Sequence, residues 1–99
     1  MLIIAGHVHV GPSEIEEFVA DARATMPVAR AQDGCLFFSF TLDDPAVGTM
    51  LVLERWRDQA AVDAYLARPE VAALFRKWSD RMRSEVRKFD ASNERSPIE

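Results

Sequence analysis

Cysteine is nearly absent from the chain: Cys35 is the only one among 99 residues, which excludes an internal disulfide and a multi-cysteine metal site. No apolar run approaches the roughly 20 residues of a membrane-spanning helix, and no basic segment precedes the first apolar run as in a signal peptide. Basic residues are fewer than acidic ones, 12 against 16, and the formal net charge of −4 disfavours nucleic acid and anionic membranes as partners. These absences predict a cytoplasmic protein with no nucleic-acid and no membrane partner.

The composition is that of one ordinary globular domain. Hydrophobic residues make up 48% of the chain and charged residues 28%, and 99 residues leave room for one modest core. Neither repeats nor low-complexity segments interrupt the sequence. We therefore predict a single domain over residues 1–91, followed by a polar C-terminal tail over residues 92–99.

Apolar periodicity predicts six regions in the order β-α-β-β-α-β. Strands are predicted at residues 2–10, 35–42, 49–57 and, with weaker alternation, 84–91. The first helix is predicted to begin at a capping box formed by Ser13 and Glu16, and to end at residues 32–34. Asp58 is predicted to cap a short helix, and Pro69 to occupy the first turn of the next one. This order predicts an α+β, ferredoxin-like fold, with a four-stranded antiparallel sheet and helices on one face.

Both faces of the predicted sheet carry apolar side chains, although a face in contact with water would be polar. The helices cover one face, and the sequence offers no further element to cover the other. We assign six apolar strand residues to that second face: Leu2, Ile4, Val8, Val10, Leu51 and Leu53. A large exposed apolar patch is rare on a monomer, so we predict a symmetric homodimer.

Two stretches of the chain carry a family resemblance. A strand-type pattern ends at Glu54 and Trp56, and a helix-type pattern begins at Asp58; the second stretch, Asp-Gly-Cys at residues 33–35, enters the second strand. An E-x-W strand end that leads into such a helix resembles the antibiotic biosynthesis monooxygenase family. The resemblance extends over roughly residues 2–89. It implies a dimeric α+β barrel, in which the sheets of two protomers meet face to face.

The resemblance also implies a reaction and a place for it. Some members of the family oxidise quinols, phenols or polycyclic aromatics with O2 and without a cofactor, in a pocket between the helices and the sheet, whereas others degrade haem or have non-oxygenase roles. The implied partner is therefore a small aromatic molecule, and neither a metal nor a cofactor is expected. Trp56 lines the implied pocket, and His7 and Tyr65 join it as candidate catalytic residues. The candidate substrate-binding residues are His9, Phe38, Val52, Glu54, Phe75 and Trp78.

Several of these residues also have a purely structural interpretation. Trp56, Phe75 and Trp78 are typical core residues, because aromatic side chains dominate cores. Glu54 can pair with an arginine across the sheet instead of acting as a base. His7 and His9 have no third ligand close in sequence, so a metal site is not predicted.

The chain departs from the family pattern at Tyr65 and Glu70, where many members carry histidine. Haem-degrading members ligate iron at the position of Phe75, which a phenylalanine cannot do, so haem degradation is not predicted. Two further functions stay open. One is a non-catalytic small-molecule-binding or accessory dimer, and the other is an isomerase or aldolase that would use His7, Glu54 and an arginine.

Overall fold

In the computed structural model, which describes residues 1–99, four strands and four helices follow the predicted order. The strands are β1 (Leu2–Val10), β2 (Cys35–Asp44), β3 (Thr49–Trp56) and β4 (Met82–Asp90). The helices are α1 (Ile15–Ala24), α2 (Met26–Arg30), α3 (Gln59–Leu66) and α4 (Pro69–Trp78). Neighbouring strands are antiparallel, in the order β2-β3-β1-β4, which confirms the predicted ferredoxin-like α+β fold. None of the helices is long and apolar enough to cross a membrane.

Of the two predicted helix caps, the structure contains only the one at Asp58. Ser13 lies inside a 3₁₀ turn over Pro12–Glu14, and neither Ser13 nor Glu16 caps a helix, so the predicted capping box is wrong. The ring of Pro12 fixes its φ near the helical value, so the turn begins at Pro12, one residue before Ser13. Asp58 does cap α3, because its backbone is extended and its Oδ1 accepts a hydrogen bond from the Ala61 N–H at 3.0 Å.

The first helical region breaks at Thr25, which separates α1 from α2. Pro27 has no backbone N–H, so the hydrogen-bond ladder of α1 cannot continue through it. Thr25 donates its hydroxyl to the carbonyl oxygen of Ala22 at 2.7 Å, which gives the end of α1 a partner. The predicted single helix is therefore two shorter ones, whereas Pro69 occupies the first turn of α4 as predicted.

The strand boundaries differ most from the predicted ones at the C-terminal strand. β4 begins at Met82, earlier than the predicted residue 84, and Met82 lies opposite Val10 of β1. As an edge strand with one neighbour, β4 leaves most of its side chains exposed, which explains its weak alternation. Residues 91–99 contain no helix and no strand.

The register between β1 and β3 determines which side chains share a face of the sheet. Leu2 lies opposite Trp56, and Val8 lies opposite Met50. Residues directly opposite each other in an antiparallel pair point to the same side, and Trp56 and Met50 are buried under the helices. Part of the predicted second face is therefore wrong, because four of its residues belong to the helix-covered side: Leu2, Ile4, Val8 and Val10.

The side without helices is nevertheless apolar at its centre. We call it the open sheet face, and its residues are Ile3, Ala5, His7, His9, Phe37, Ser39, Thr41, Thr49, Leu51, Leu53, Arg55, Arg83, Glu85, Arg87 and Phe89. Leu53 and Phe89 are 45% and 54% exposed, and Phe37 and Leu51 are also exposed. Leu51 and Leu53 thus lie on the predicted side, and the single chain leaves an apolar patch in contact with water.

The core on the helix-covered side consists of two clusters. The first contains Leu2, Ala29, Phe38, Trp56, Ala61, Val62, Tyr65 and Val71. The second contains Val8, Val10, Ile15, Phe18, Ala22, Met50, Val52 and Trp78. In the first cluster the ring centroids of Trp56 and Tyr65 are 5.4 Å apart, and in the second those of Phe18 and Trp78 are 4.9 Å apart. Residues of both clusters form the walls of the site described next.

Candidate active site

A cavity of about 200 Å³ lies between the sheet and helices α1, α3 and α4. Fifteen of its seventeen lining residues are hydrophobic, Tyr65 among them, and the other two are Glu54 and Ser84. Leu66, Phe75 and Ser84 are the lining residues most in contact with solvent. The cavity therefore opens between the helix pair α3–α4 and the edge strand β4.

Gly6 is a strand residue next to the cavity where no side chain can be accommodated. It lies between Val52 of β3 and Val86 of β4, both of which line the cavity. Its φ of +151° is rarely adopted by other residues, and a Cβ added there would lie 2.1 Å from the carbonyl oxygen of Glu85. No larger residue fits at this position without moving the backbone of β4.

Glu54 is the only carboxylic acid in the cavity lining. The residue is 8% exposed, and burial raises its pKa to about 7, against the lowering effect of a hydrogen bond from Trp56. The Trp56 indole Nε1–H donates that bond to Glu54 Oε1 at 2.9 Å. Oε2 accepts no hydrogen bond from the protein. At neutral pH the group is therefore poised between its acid and base forms, with one oxygen fixed and the other free.

Glu54 does not pair with an arginine, which was the structural alternative in the sequence. The sequence contained a signal for the observed pair, because residues two apart in a strand point to the same face. An E-x-W motif in a strand thus places the carboxylate beside the indole. The hydrogen bond between them satisfies both groups in an apolar setting.

Tyr65 also lines the cavity, and its hydroxyl contacts Thr25, which is not one of the lining residues. Tyr65 is 5% exposed, and its hydroxyl lies 3.5 Å from Thr25 Oγ1, a long contact for a hydrogen bond between two hydroxyls. Burial raises its pKa to about 12, so the phenol stays protonated at neutral pH. Two residues that line the cavity thus carry a carboxylate base and a phenol that can donate a hydrogen bond.

The chain matches known proteins in sequence and in fold. The family model described as antibiotic biosynthesis monooxygenase matches residues 1–77. The chain belongs to the antibiotic biosynthesis monooxygenase family.

An uncharacterized protein of Synechocystis sp. is 32% identical to this family member over 69% of the chain and 46% of its own length. The Bacillus subtilis protein YcnE is 27% identical over 63% of the chain and 65% of its own length. The chain therefore spans less than two thirds of either relative.

Solved structures share the fold over almost the whole chain. A crystal structure from Deinococcus radiodurans matches with a TM-score of 0.83 and 19% identity, covering 97% of each chain. A structure from Mycobacterium tuberculosis matches with a TM-score of 0.80 and 21% identity, covering 96% of this chain and 97% of its own. At such identities the likeness concerns the fold.

In this member of the family the cavity brings together five of the nine residues predicted for the site. These are Val52, Glu54, Tyr65, Phe75 and Trp78. Trp56 and Phe38 lie behind the cavity wall instead, 0% and 2% exposed, with their rings 6.1 Å apart at an 81° angle. The prediction that Trp56 lines the pocket is wrong, because its ring fills the first core cluster and only its N–H reaches a cavity residue.

The two histidines lie on the other side of the sheet. His7 is opposite Leu51 and His9 is opposite Thr49, so both belong to the open sheet face, and their predicted place on the pocket side is wrong. His9 Nδ1 lies 3.2 Å from Thr49 Oγ1 and its Nε2 lies 3.1 Å from Glu85 Oε1. Neither histidine can reach a molecule in the cavity, because the sheet lies between them.

Sequence reasoning missed three residues that shape the site: Gly6, Thr25 and Ser84. Gly6 carried a signal, because a glycine inside an apolar strand often marks a place where another group comes close. Thr25 and Ser84 carried none, since only the folded chain brings them to Tyr65 and to the cavity. No three His, Cys, Asp or Glu side chains converge anywhere in residues 1–99.

Proposed function

We propose that the protein is a cofactor-independent monooxygenase that oxidises a small phenol or quinol with O2. The observation that carries the proposal is the position of Glu54, a lone carboxylate in an otherwise apolar cavity. Membership of the antibiotic biosynthesis monooxygenase family supports the same reaction class. The single cysteine fits a reducing, cytoplasmic setting.

In the proposed reaction Glu54 removes the proton of a substrate hydroxyl through its free Oε2. The resulting phenolate is electron-rich and transfers an electron to O2, after which carbon and oxygen join. For a quinol, one oxygen atom enters the ring and the other leaves as water, so that quinol and O2 give a hydroxyquinone and water. A base with a pKa of about 7 is suited to this proton transfer at neutral pH.

The walls of the cavity contribute by excluding water. A phenolate among apolar side chains is poorly solvated, which favours its oxidation. Tyr65 can donate a hydrogen bond to a second substrate oxygen and so orient the ring. Cavities of roughly 150 Å³ hold a benzene molecule, so about 200 Å³ favours substrates with one or two rings over larger polycyclic aromatics.

The alternative of a non-catalytic binding protein predicts an interior without a group able to accept a proton. Glu54 is such a group, and therefore favours the enzyme. An isomerase that uses His7, Glu54 and an arginine together is not supported, because His7 lies on the open sheet face.

We further propose that two protomers pair through their open sheet faces. Each face exposes large apolar side chains, and a second copy covers them with matching apolar surface. The family resemblance implies the same assembly. Glu54 and the cavity lie on the helix-covered side of the sheet, opposite to the proposed interface.

The test uses protein freed of metals with a chelator, and menadiol as a two-ring quinol. We expect O2 uptake above the buffer rate, and a hydroxyquinone that carries one ¹⁸O atom when the gas is ¹⁸O2. Glu54→Gln should reduce the enzymatic rate to background, whereas Glu16→Gln, the same change at an exposed site on α1, should not alter it. Equal rates for wild type and Glu54→Gln, or no rate above buffer with any phenol or quinol of one to three rings, would contradict the proposal.

A further inference from the structure

The polar groups of the cavity can transfer protons without any oxygen chemistry. Glu54 Oε1 is held by the Trp56 indole, and the free Oε2 belongs to a residue that lines the cavity. Tyr65 lines the same space with a hydroxyl whose contact to Thr25 is long at 3.5 Å. The two residues that carry a base and a hydrogen-bond donor therefore line one apolar cavity.

We propose that this cavity also isomerises β,γ-unsaturated ketones to α,β-unsaturated ketones, with Glu54 as the base and Tyr65 as the donor to the ketone oxygen. The reaction needs no O2, no metal and no cofactor. It shares the cavity and the base with the proposed oxygenation, but does not depend on that oxygenation being correct.

The proton and electron movements balance within the substrate and the carboxyl group. Glu54 Oε2 takes a proton from the carbon between the carbonyl group and the double bond, and the C–H electron pair forms a dienolate. The negative charge rests on the carbonyl oxygen, where a hydrogen bond from Tyr65 stabilises it. Glu54 then returns the proton to the γ carbon, which moves the double bond into conjugation. Nothing is oxidised or reduced.

Three structural features favour this transfer. First, the hydrogen bond from Trp56 fixes the carboxylate, so its free oxygen keeps one orientation over both proton transfers. Second, a carboxylate base combined with a tyrosine donor in an apolar site is an arrangement that supports proton transfer next to a ketone. Third, the apolar lining leaves the base poorly solvated, which strengthens it towards a carbon acid.

The contact between Tyr65 and Thr25 leaves the phenol available to a ligand. Thr25 donates its own hydroxyl hydrogen to the Ala22 carbonyl oxygen at 2.7 Å, so it holds its position without Tyr65. When Tyr65 turns its hydrogen towards a ketone, only the 3.5 Å contact is lost. The burial that keeps the phenol protonated also keeps it a donor.

The experiment follows 3-cyclohexen-1-one under strict exclusion of O2. Its conversion to 2-cyclohexen-1-one produces a conjugated ketone, which is measured by ultraviolet absorbance. The rate is compared with buffer that contains acetate at the concentration of the protein. Because general acid–base catalysis contributes roughly 100-fold or more, we expect at least that acceleration from the wild-type protein.

Variants assign the activity to the cavity. We expect Glu54→Gln to lose the acceleration, Tyr65→Phe to lose most of it, because one donor to a developing oxyanion contributes roughly 100-fold or more, and Glu16→Gln to retain all of it. Melting temperatures and circular dichroism spectra confirm that each variant is folded. If Glu54→Gln does not fold, a two-ring phenol such as 2-naphthol, added to the wild-type protein, replaces it as an inhibitor of the isomerisation.

The experiments distinguish the proposed isomerisation from the proposed oxygenation. Anaerobic isomerisation that requires Glu54, without O2 uptake on quinols, supports this inference and overturns the oxygenase proposal. O2 uptake on quinols without isomerisation overturns this inference alone. Isomerisation that Glu54→Gln leaves intact, or that 2-naphthol does not inhibit, also overturns it.

Discussion

The two faces of the sheet are built from the same four strands, yet their ionisable residues differ in character. On the helix-covered face Glu54 is 8% exposed among apolar side chains, with one fixed hydrogen bond and a raised pKa. On the open sheet face His7 and His9 lie next to the carboxylates of Asp43 and Glu85, and both keep contact with water. The chemistry of each group is set by which face it occupies.

The difference shows why a residue type alone does not identify a catalytic group. Histidine is the usual base at neutral pH because its ordinary pKa lies there. In this fold the sheet separates both histidines from the cavity, and burial brings a glutamate into the same pH range instead. The helix layer is therefore what turns Glu54 into a candidate base.

The largest effect is expected when a carboxylate is introduced on either face of the sheet, which tests the assignment of residues to the two faces. Val8→Asp puts a carboxylate into the cavity floor at a position that is 7% exposed, and we expect a loss of more than about 3 kcal/mol of stability or no folding. Leu53→Asp puts it on the open sheet face, where a single protomer can hydrate it. That variant should stay folded as a monomer of 11.2 kDa.

Sedimentation at micromolar concentration and thermal unfolding together measure this pair. A wild-type protein that sediments as a monomer would contradict the proposed dimer. A Val8→Asp protein as stable as Leu53→Asp would contradict the assignment of the two faces.

The pH dependence of stability provides the next largest effect. The pKa of Glu54 rises from an ordinary 4.5 in the unfolded chain to about 7 in the fold, so the folded state binds the extra proton between these values. The contribution of Glu54 to stability therefore falls as the pH increases through that interval, by at most about 3 kcal/mol. In Glu54→Gln this loss is absent.

Denaturant unfolding measures the stability of wild type and of Glu54→Gln at pH 5 and at pH 8. The change between the two pH values is then compared between the two proteins. Ion pairs elsewhere, such as Lys77 with Asp21, are present in both proteins and cancel. We expect the stability of Glu54→Gln relative to wild type to be higher at pH 8 than at pH 5. An unchanged difference would mean that Glu54 is solvated in the folded protein.

Trp56→Phe should have a smaller and more specific effect. The indole N–H stabilises the charged carboxylate, so its removal raises the pKa of Glu54 further. The rise of the catalytic rate with pH should then move to higher pH, while the rate at the alkaline plateau changes less. A uniform loss at all pH values would assign Trp56 a packing role only.

His7→Gln should have the smallest effect of all on the chemistry. The side chain is 44% exposed on the open sheet face, where the sheet separates it from the cavity. We expect the rate and its pH profile to match those of the wild type. A loss of more than about 10-fold in rate would require His7 to reach the substrate, and would break the comparison between the faces.

The sequence was sufficient for the order of the strands and helices because most of these elements have a local signal. Alternation in β1 and β3 follows from the period of two, and Asp58 and Pro69 mark the starts of α3 and α4. The break at Thr25 was also encoded, since Pro27 interrupts any helix that reaches it.

The sequence did not show which residues of neighbouring strands share a face of the sheet. Each strand shows which of its residues alternate, but not which of its two sets lies beside a given set of the neighbouring strand. That choice depends on the register, here Val8 opposite Met50, which is decided by packing across the sheet. The same missing information placed His7 on the pocket side, and placed Leu2 with Leu53.

The absent side chain at Gly6 has a consequence for how this protein can diversify. Since a Cβ there would lie 2.1 Å from the Glu85 carbonyl oxygen, this position in the sheet is closed to any single substitution. Leu66 and Phe75 at the rim of the cavity are 45% and 44% exposed, so substitutions there should be tolerated better than at Gly6. Variants with a changed preference for the proposed substrates are therefore expected to carry substitutions at this rim and to keep Gly6.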